Sequence, residues 1–284
     1  MNQRKSLKEL NLLDKFLFDE AMDDPENVKT MLDIILSQNT NLKHPPQTEK
    51  EQRTSTDNRQ IRLDVYAIDE DDVIYEVEAQ KENTHNLPKR SRLYQGIIDS
   101  KLLPPGVVDF NLLNEVLIVL IMPFDLFGYG LYRYTFQMKC EEVPELKLDD
   151  GATRIFLNTR GKHPELVSPE LIELLKYMEH STDEISEACE SKRIQEMHRR
   201  VCQIRASEKT EVKYMQSWEE RIMIKQEGIA EGRIEGEKAL LKSLIEKKMA
   251  KKYSAEQISA MLEVDVSEVE NIMKEIQNLS LIHI

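Results

Sequence analysis

Asp64 in IRLDVYAI (61–68), with Glu78 and Gln80 in VIYEVEAQ (73–80), are the residues whose types and spacing could do chemistry. Both segments alternate with period two, and only Asp69–Asp72 separates them, so they read as the two strands of a hairpin. Folding the pair back on Glu70–Asp72 sets Val65 opposite Val77, Leu63 opposite Ala79 and Ala67 opposite Tyr75, which makes one apolar face. The same register sets Asp64 across from Glu78, Arg62 across from Gln80 and Tyr66 across from Glu76. Carboxylates facing each other with Cβ atoms ~4.5–5.5 Å apart repel, and a divalent cation removes the conflict. Two carboxylates, water and a substrate phosphate describe the octahedral oxygen shell of magnesium, an ion that polarises phosphate and lowers the pKa of bound water. Gln80 could orient that water, but an amide is neither a base nor a cation. The plainer reading of the same face is solvent-exposed polarity on a half-buried hairpin.

Other chemistries find little support. Cys140, Cys189 and Cys202 are odd in number and widely spaced, as expected of reduced thiols. No H-x-x-x-H or H-E-x-x-H spacing occurs among the six histidines, so any metal should be hard and oxygen-bound. The net charge of −13 argues against general coating of nucleic acid. Binding to DNA would instead need local basic patches, and candidates are Lys89, Arg90 and Arg92; Arg199, Arg200 and Arg205; and Lys247, Lys248, Lys251 and Lys252. No run approaches the ~18 apolar residues of a membrane span. The N-terminus lacks an apolar run and a cleavage site, so a cytoplasmic location without membrane contact is expected.

The elements that must position the pair can be read in order. Residues 14–36 form a helix pair broken before Pro25, with Asp24 as cap. Residues 43–60 lack strongly apolar side chains and contain Pro45-Pro46, so they read as a loop. A helix over 88–103 ends at Pro104-Pro105-Gly106, and the apolar run 115–122 suits a strand buried on both faces. Strands over 129–140 and 153–158 follow, and 169–227 reads as helix throughout. Gly228, Gly232 and Gly236 line one helical face, implying either close packing or a weak linker helix. A helix over 237–251 and capping boxes at Ser254–Gln257 and Asp265–Glu268 complete three short helices, compatible with a helix-turn-helix or an oligomerisation module.

The segments DKFLFDEAMDDPENVKTMLDIIL, RLDVYAIDEDDVIYEVEAQ, LPKRSRLYQGIIDSKLL, LIVLIMPFDLFGYGLYRYTFQMKCEE and LKLDDGATRIFLNTRG, over about half the chain, resemble the recombination-promoting nuclease and transposase-related branch of the PD-(D/E)XK superfamily. The repeated E-G of the tail resembles C-terminal regions of the same branch. The resemblance implies an α/β fold: a restriction-endonuclease-like mixed sheet flanked by helices, with a C-terminal all-helical extension. It implies a nuclease-like domain at 1–165, a helical connection at 166–236 and a small helical module at 237–284. It implies magnesium-dependent cleavage of DNA, with manganese able to substitute. Asp64 and Glu78 would be metal ligands, and Gln80 stands where the superfamily usually has lysine. The early acidic position falls nearest Asp14, with Glu20 second. Arg90, Tyr94 and Gln95 match K-R-x-x-x-Y-Q and, with Arg92, would contact the DNA backbone. The alternatives are a degenerate relative that binds nucleic acid or protein without cutting, and a scaffold that oligomerises through its C-terminal helices.

Overall fold

The computed structural model describes residues 4–52 and 61–282. A six-stranded mixed sheet has the order β1-β2-β3-β4-β6-β5. Its strands are β1 (Gln47–Gln52), β2 (Ile61–Ile68), β3 (Ile74–Ala79), β4 (Val116–Met122), β5 (Arg133–Phe136) and β6 (Ala152–Asn158). β1, β2 and β3 pair antiparallel, β3, β4 and β6 pair parallel, and β5 closes the far edge antiparallel to β6. The apolar run in β4 is central and almost wholly buried, as a strand covered on both faces requires. This mixed sheet flanked by helices, with a helical extension, is a restriction-endonuclease-like α/β architecture.

Each face of the sheet carries its own core. On one side α1 (Lys15–Met22), α2 (Pro25–Leu36), α4 (Pro169–Glu179) and α6 (Lys192–Ala206) pack over Val65, Ala67, Tyr75, Val77, Val119 and Ile155. On the other, Leu87, Tyr94, Ile97 and Ile98 of α3 (Leu87–Asp99) pack over Tyr66, Ile74, Ile118 and Leu120. The break before α2 is built as its sequence suggests: Asp24 accepts a hydrogen bond from the amide of Glu26, and Pro25 occupies the first turn.

Three expectations need correction. Part of the 43–60 segment is β1, because an edge strand is held by its backbone ladder to β2 and its charged side chains suit a sheet edge; residues 53–60 lie outside the described part. The helix expected across 169–227 is divided into α4, α5 (Asp183–Ala188), α6 and α7 (Glu208–Met249). Thr182 and Ser191 accept from the amides of Ile185 and Ile194 and thereby start new helices. The helix expected at 237–251 is the end of α7, which runs through all three glycines without interruption.

The chain divides into two compact units, Met1–Tyr214 and Met215–Ile284. The second has a small core of Ile245, Ile258 and Val269, where α7 meets α8 (Ala255–Leu262) and α9 (Val266–Ile282). Ser254 and Gln257 make the capping box that opens α8. Among the described residues no helix is long and apolar enough to cross a membrane.

Candidate active site

Near its turn the hairpin keeps the register read from the sequence, with Val65 paired to Val77, Tyr66 to Glu76 and Ala67 to Tyr75, but the expected pairs Asp64–Glu78, Leu63–Ala79 and Arg62–Gln80 are not in the ladder. The ladder stops at Val65, one residue short of Asp64. Leu63 joins the α3-side core while Val65 and Ala67 join the α1-side core, so the strict alternation of β2 is interrupted at Asp64. In β1 the residue at the matching level, Glu49, has a positive φ of 49°. Such a break re-aims a side chain, and bulge-like irregularities of this kind recur beside active sites.

Asp64 is thereby delivered to α1. Its carboxylate pairs with the Lys15 ammonium, which also reaches Asp19 at 3.1 Å and Glu49 at 4.0 Å. Burial works against a charge on Lys15, but Asp64 and Asp19 outweigh it and its pKa is raised. Burial pushes Asp19 up to about 7; Lys15 pulls the other way, and the charges of Asp64 and Glu49 add to the rise. The acid that the first helix brings to Asp64 is thus Asp19. Asp14 accepts from the amide of Asn11 and pairs with Lys81, whereas Glu20 pairs with Lys213 at 3.0 Å.

Glu78 belongs to the α3 side. Arg90 of α3 donates to its carboxylate at 2.5 Å and to the Gln80 carbonyl at 2.5 Å, and the Tyr94 hydroxyl donates to Glu78 as well. Burial nevertheless raises the Glu78 pKa against the pull of Arg90, with the Asp64 charge adding to the rise. The Gln80 amide nitrogen donates to the Glu82 carbonyl, so both ends of this side chain are engaged. Gln95 is buried and donates to Asp99 at 2.9 Å, while Arg92 is exposed.

Glu76 was passed over in the sequence. It is fully buried, and neither carboxylate oxygen has a hydrogen-bond partner. Burial, then the charges of Glu78 and Asp64, hold its pKa well above the usual carboxylate value. Its parity with Glu78 and Gln80 was the available signal. Its burial was not legible, because it depends on α3 covering that face. Lys15 and Asp19 were hidden for a similar reason: their i,i+4 spacing reads as an ordinary helix-surface pair until α1 is laid against β2.

These residues make two ion-paired sets, Asp19 and Asp64 with Lys15 and Glu78 with Arg90, and the Asp64 charge is felt at both Glu76 and Glu78. All the donors in these sets are carboxylate oxygens, and both Glu76 oxygens are without a hydrogen-bond partner.

A second group lies apart from the sheet. Asp183, His198 and Cys202 offer ligand atoms within 4.8 Å of one another, and this cluster could coordinate a metal ion. No protein-family model, no curated protein and no solved structure matches this chain. The mixed sheet with flanking helices is generically compatible with PD-(D/E)XK-like nucleases at the level of architecture.

Proposed function

We propose that this protein is a magnesium-dependent DNA endonuclease of the PD-(D/E)XK type, associated with recombination or mobile elements and acting in the cytoplasm. The observation that carries the reading is that two carboxylate groups flank the interrupted end of the β2–β3 hairpin, Asp64 and Asp19 around Lys15 and Glu78 against Arg90, with the Asp64 charge felt at Glu78. Asp64, Glu78 and Asp19 would hold the ion. When bound, it supplies Lewis-acid polarisation of the phosphate and a more acidic water.

The remaining roles belong to the chain itself. A nuclease needs positive charge beside the phosphate as negative charge develops on its oxygens. Gln80 cannot supply it, but Lys15 reaches the same carboxylates from α1. Lys15 therefore stands in for the superfamily's strand lysine. Gln80 fixes Arg90, which in turn orients Glu78. Arg92, exposed on α3, would meet the DNA backbone. The ion pairs of Lys15 with Asp64 and of Arg90 with Glu78 also favour a second reading, a binding relative in which these cations neutralise the carboxylates permanently.

Nicking of supercoiled plasmid with magnesium or manganese separates the two. Asp64→Ala and Glu78→Ala should be inactive with unchanged circular dichroism. Lys15→Ala should lose roughly 10²–10³-fold in single-turnover rate, the usual cost of removing one donor to a developing oxyanion. Gln80→Ala should lose less. A parent protein that binds DNA without nicking it supports the second reading; carboxylate variants that cut as well as the parent overturn the site.

A further inference from the structure

The cluster at the start of α5 and along α6 brings three potential metal-ligand atoms within 4.8 Å of one another. His198 and Cys202 are one turn apart on α6 and present Nε2 and Sγ on the same side, 3.4 Å apart. Asp183, at the first position of α5, places Oδ1 at 2.7 Å from the same Nε2 and 3.9 Å from Sγ. The other ring nitrogen, Nδ1, lies 3.0 Å from the hydroxyl of Tyr177, a fully buried residue of α4.

A Cys-His-Asp arrangement first suggests nucleophilic catalysis, but the wiring is wrong for it. In such a triad the thiol and the carboxylate take opposite nitrogens of the imidazole, so that one orients the ring while the other exchanges a proton. Here both crowd Nε2, and Nδ1 is held by Tyr177. Three donors converging on one point, with the far nitrogen tethered, is instead the arrangement of a metal ligand set and its supporting hydrogen bond. Metal–ligand bonds of ~2.0–2.3 Å in a tetrahedron place neighbouring ligand atoms ~3.3–3.7 Å apart. The His198–Cys202 separation already falls there. Asp183 Oδ1 is closer to Nε2 than that range by roughly half an ångström, and at 85% exposure its carboxylate is free to move out by that much.

We propose that Asp183, His198 and Cys202 bind one divalent ion of the zinc class, with a solvent water as the fourth ligand. The mixture of imidazole nitrogen, thiolate sulfur and carboxylate oxygen favours a borderline ion over magnesium or calcium. On binding, the Cys202 thiol releases its proton to solvent and the thiolate pairs with the ion; His198 binds as the neutral imidazole, its Nδ1–H donating to Tyr177. Burial and the Asp183 charge raise the thiol pKa, so the metal-free site holds a thiol. The ion would staple the start of α5 to α6. This site is independent of the carboxylates at the sheet, and its failure would leave the nuclease reading untouched.

The test uses full-length protein stripped with a chelator and titrated with cobalt(II) as a spectroscopic probe, followed by zinc. The parent should show a sulfur-to-cobalt charge-transfer band and the strong visible bands of a four-coordinate ion, both displaced by one zinc per chain. Cys202→Ser should lose the charge-transfer band, whereas Asp64→Ala should keep it. Asp183→Asn, at an exposed position that leaves the fold intact, should weaken zinc binding at least about tenfold, and Tyr177→Phe by about 10–100-fold, the range for lost supporting hydrogen bonds. The assignment is overturned if the parent shows no sulfur band, if Cys202→Ser retains it, or if Asp183→Asn binds zinc as tightly as the parent.

Discussion

Asp19 shows how burial can make one carboxylate a pH sensor for the site. Its pKa rises from an ordinary 3.8 to about 7 because desolvation outweighs its pairing with Lys15. A carboxylate raised in the folded state holds its proton there longer than in the unfolded chain. Its favourable contribution is therefore complete below its unfolded pKa and is lost as pH rises through about 7. Glu76 and Glu78 are shifted in the same direction and deepen the loss. Asp19→Asn should flatten this dependence in metal-free protein, raising the urea midpoint above that of the parent near pH ~8 and leaving it little changed near pH ~5. Metal affinity should run the other way, increasing through the same window, because the ion requires the ionised carboxylates. An Asp19→Asn variant with the parent's pH dependence would show that Asp19 does not titrate in this range.

Elements are tied together here at a few close approaches and left loose at others. Gly161, just after β6, lies under the Tyr132 ring, and a Cβ added there would come within 2.3–2.7 Å of three ring atoms. Tyr132 is buried in the α1-side core and cannot simply swing away. Gly161→Ala should therefore destabilise the protein by ~1–3 kcal/mol, the usual cost of overpacking, read as a lower denaturant midpoint at constant slope. The glycines of α7 present the opposite case. Nothing lies within 4 Å of a Cβ added at Gly228, Gly232 or Gly236, and the helix around them is exposed. Each alanine should then stabilise that helix by ~0.5–1 kcal/mol through lower unfolded-state entropy. If the triple variant instead melts earlier and sediments as a smaller species, the stripe is a contact between copies of this chain.

At the scale of the whole molecule, two compact units with separate cores predict separable unfolding. Ile258 is completely buried in the small C-terminal core, which has few other fully buried residues to share its loss. Ile258→Ala should cost ~2–5 kcal/mol locally, enough to melt a unit of this size. Calorimetry should show the C-terminal transition lost or shifted down while the transition of the sheet-containing unit stays in place. A single transition moving as a whole would mean that the two units unfold together. The net charge of −13 belongs to this scale as well: any DNA contact must be local to patches such as the exposed Arg92 rather than spread over the surface.

The strands of the hairpin and the register of the half nearest its turn, the buried β4, the break before α2 and the box that opens α8 were legible, because each rests on a pattern a few residues long: period-two alternation, a continuous apolar run, a cap followed by proline, a serine three residues before a glutamine. The pairing of Val65 with Val77 needed nothing more. What could not be read is whatever depends on two distant segments meeting. β1 is a strand because β2 offers it an edge, not because its own residues favour one. Glu76 is a buried acid with a raised pKa because α3 closes over it, and Asp19 joins Asp64 because α1 crosses the interrupted end of β2. The expectation of a hard, oxygen-bound metal overlooked His198 and Cys202, which are four residues apart on α6, because Asp183, which joins them, comes from a separate helix, α5. Local periodicity determines which backbone groups pair; only tertiary packing determines which side chains lose water, and with it which of this chain's many charged groups are driven into chemistry.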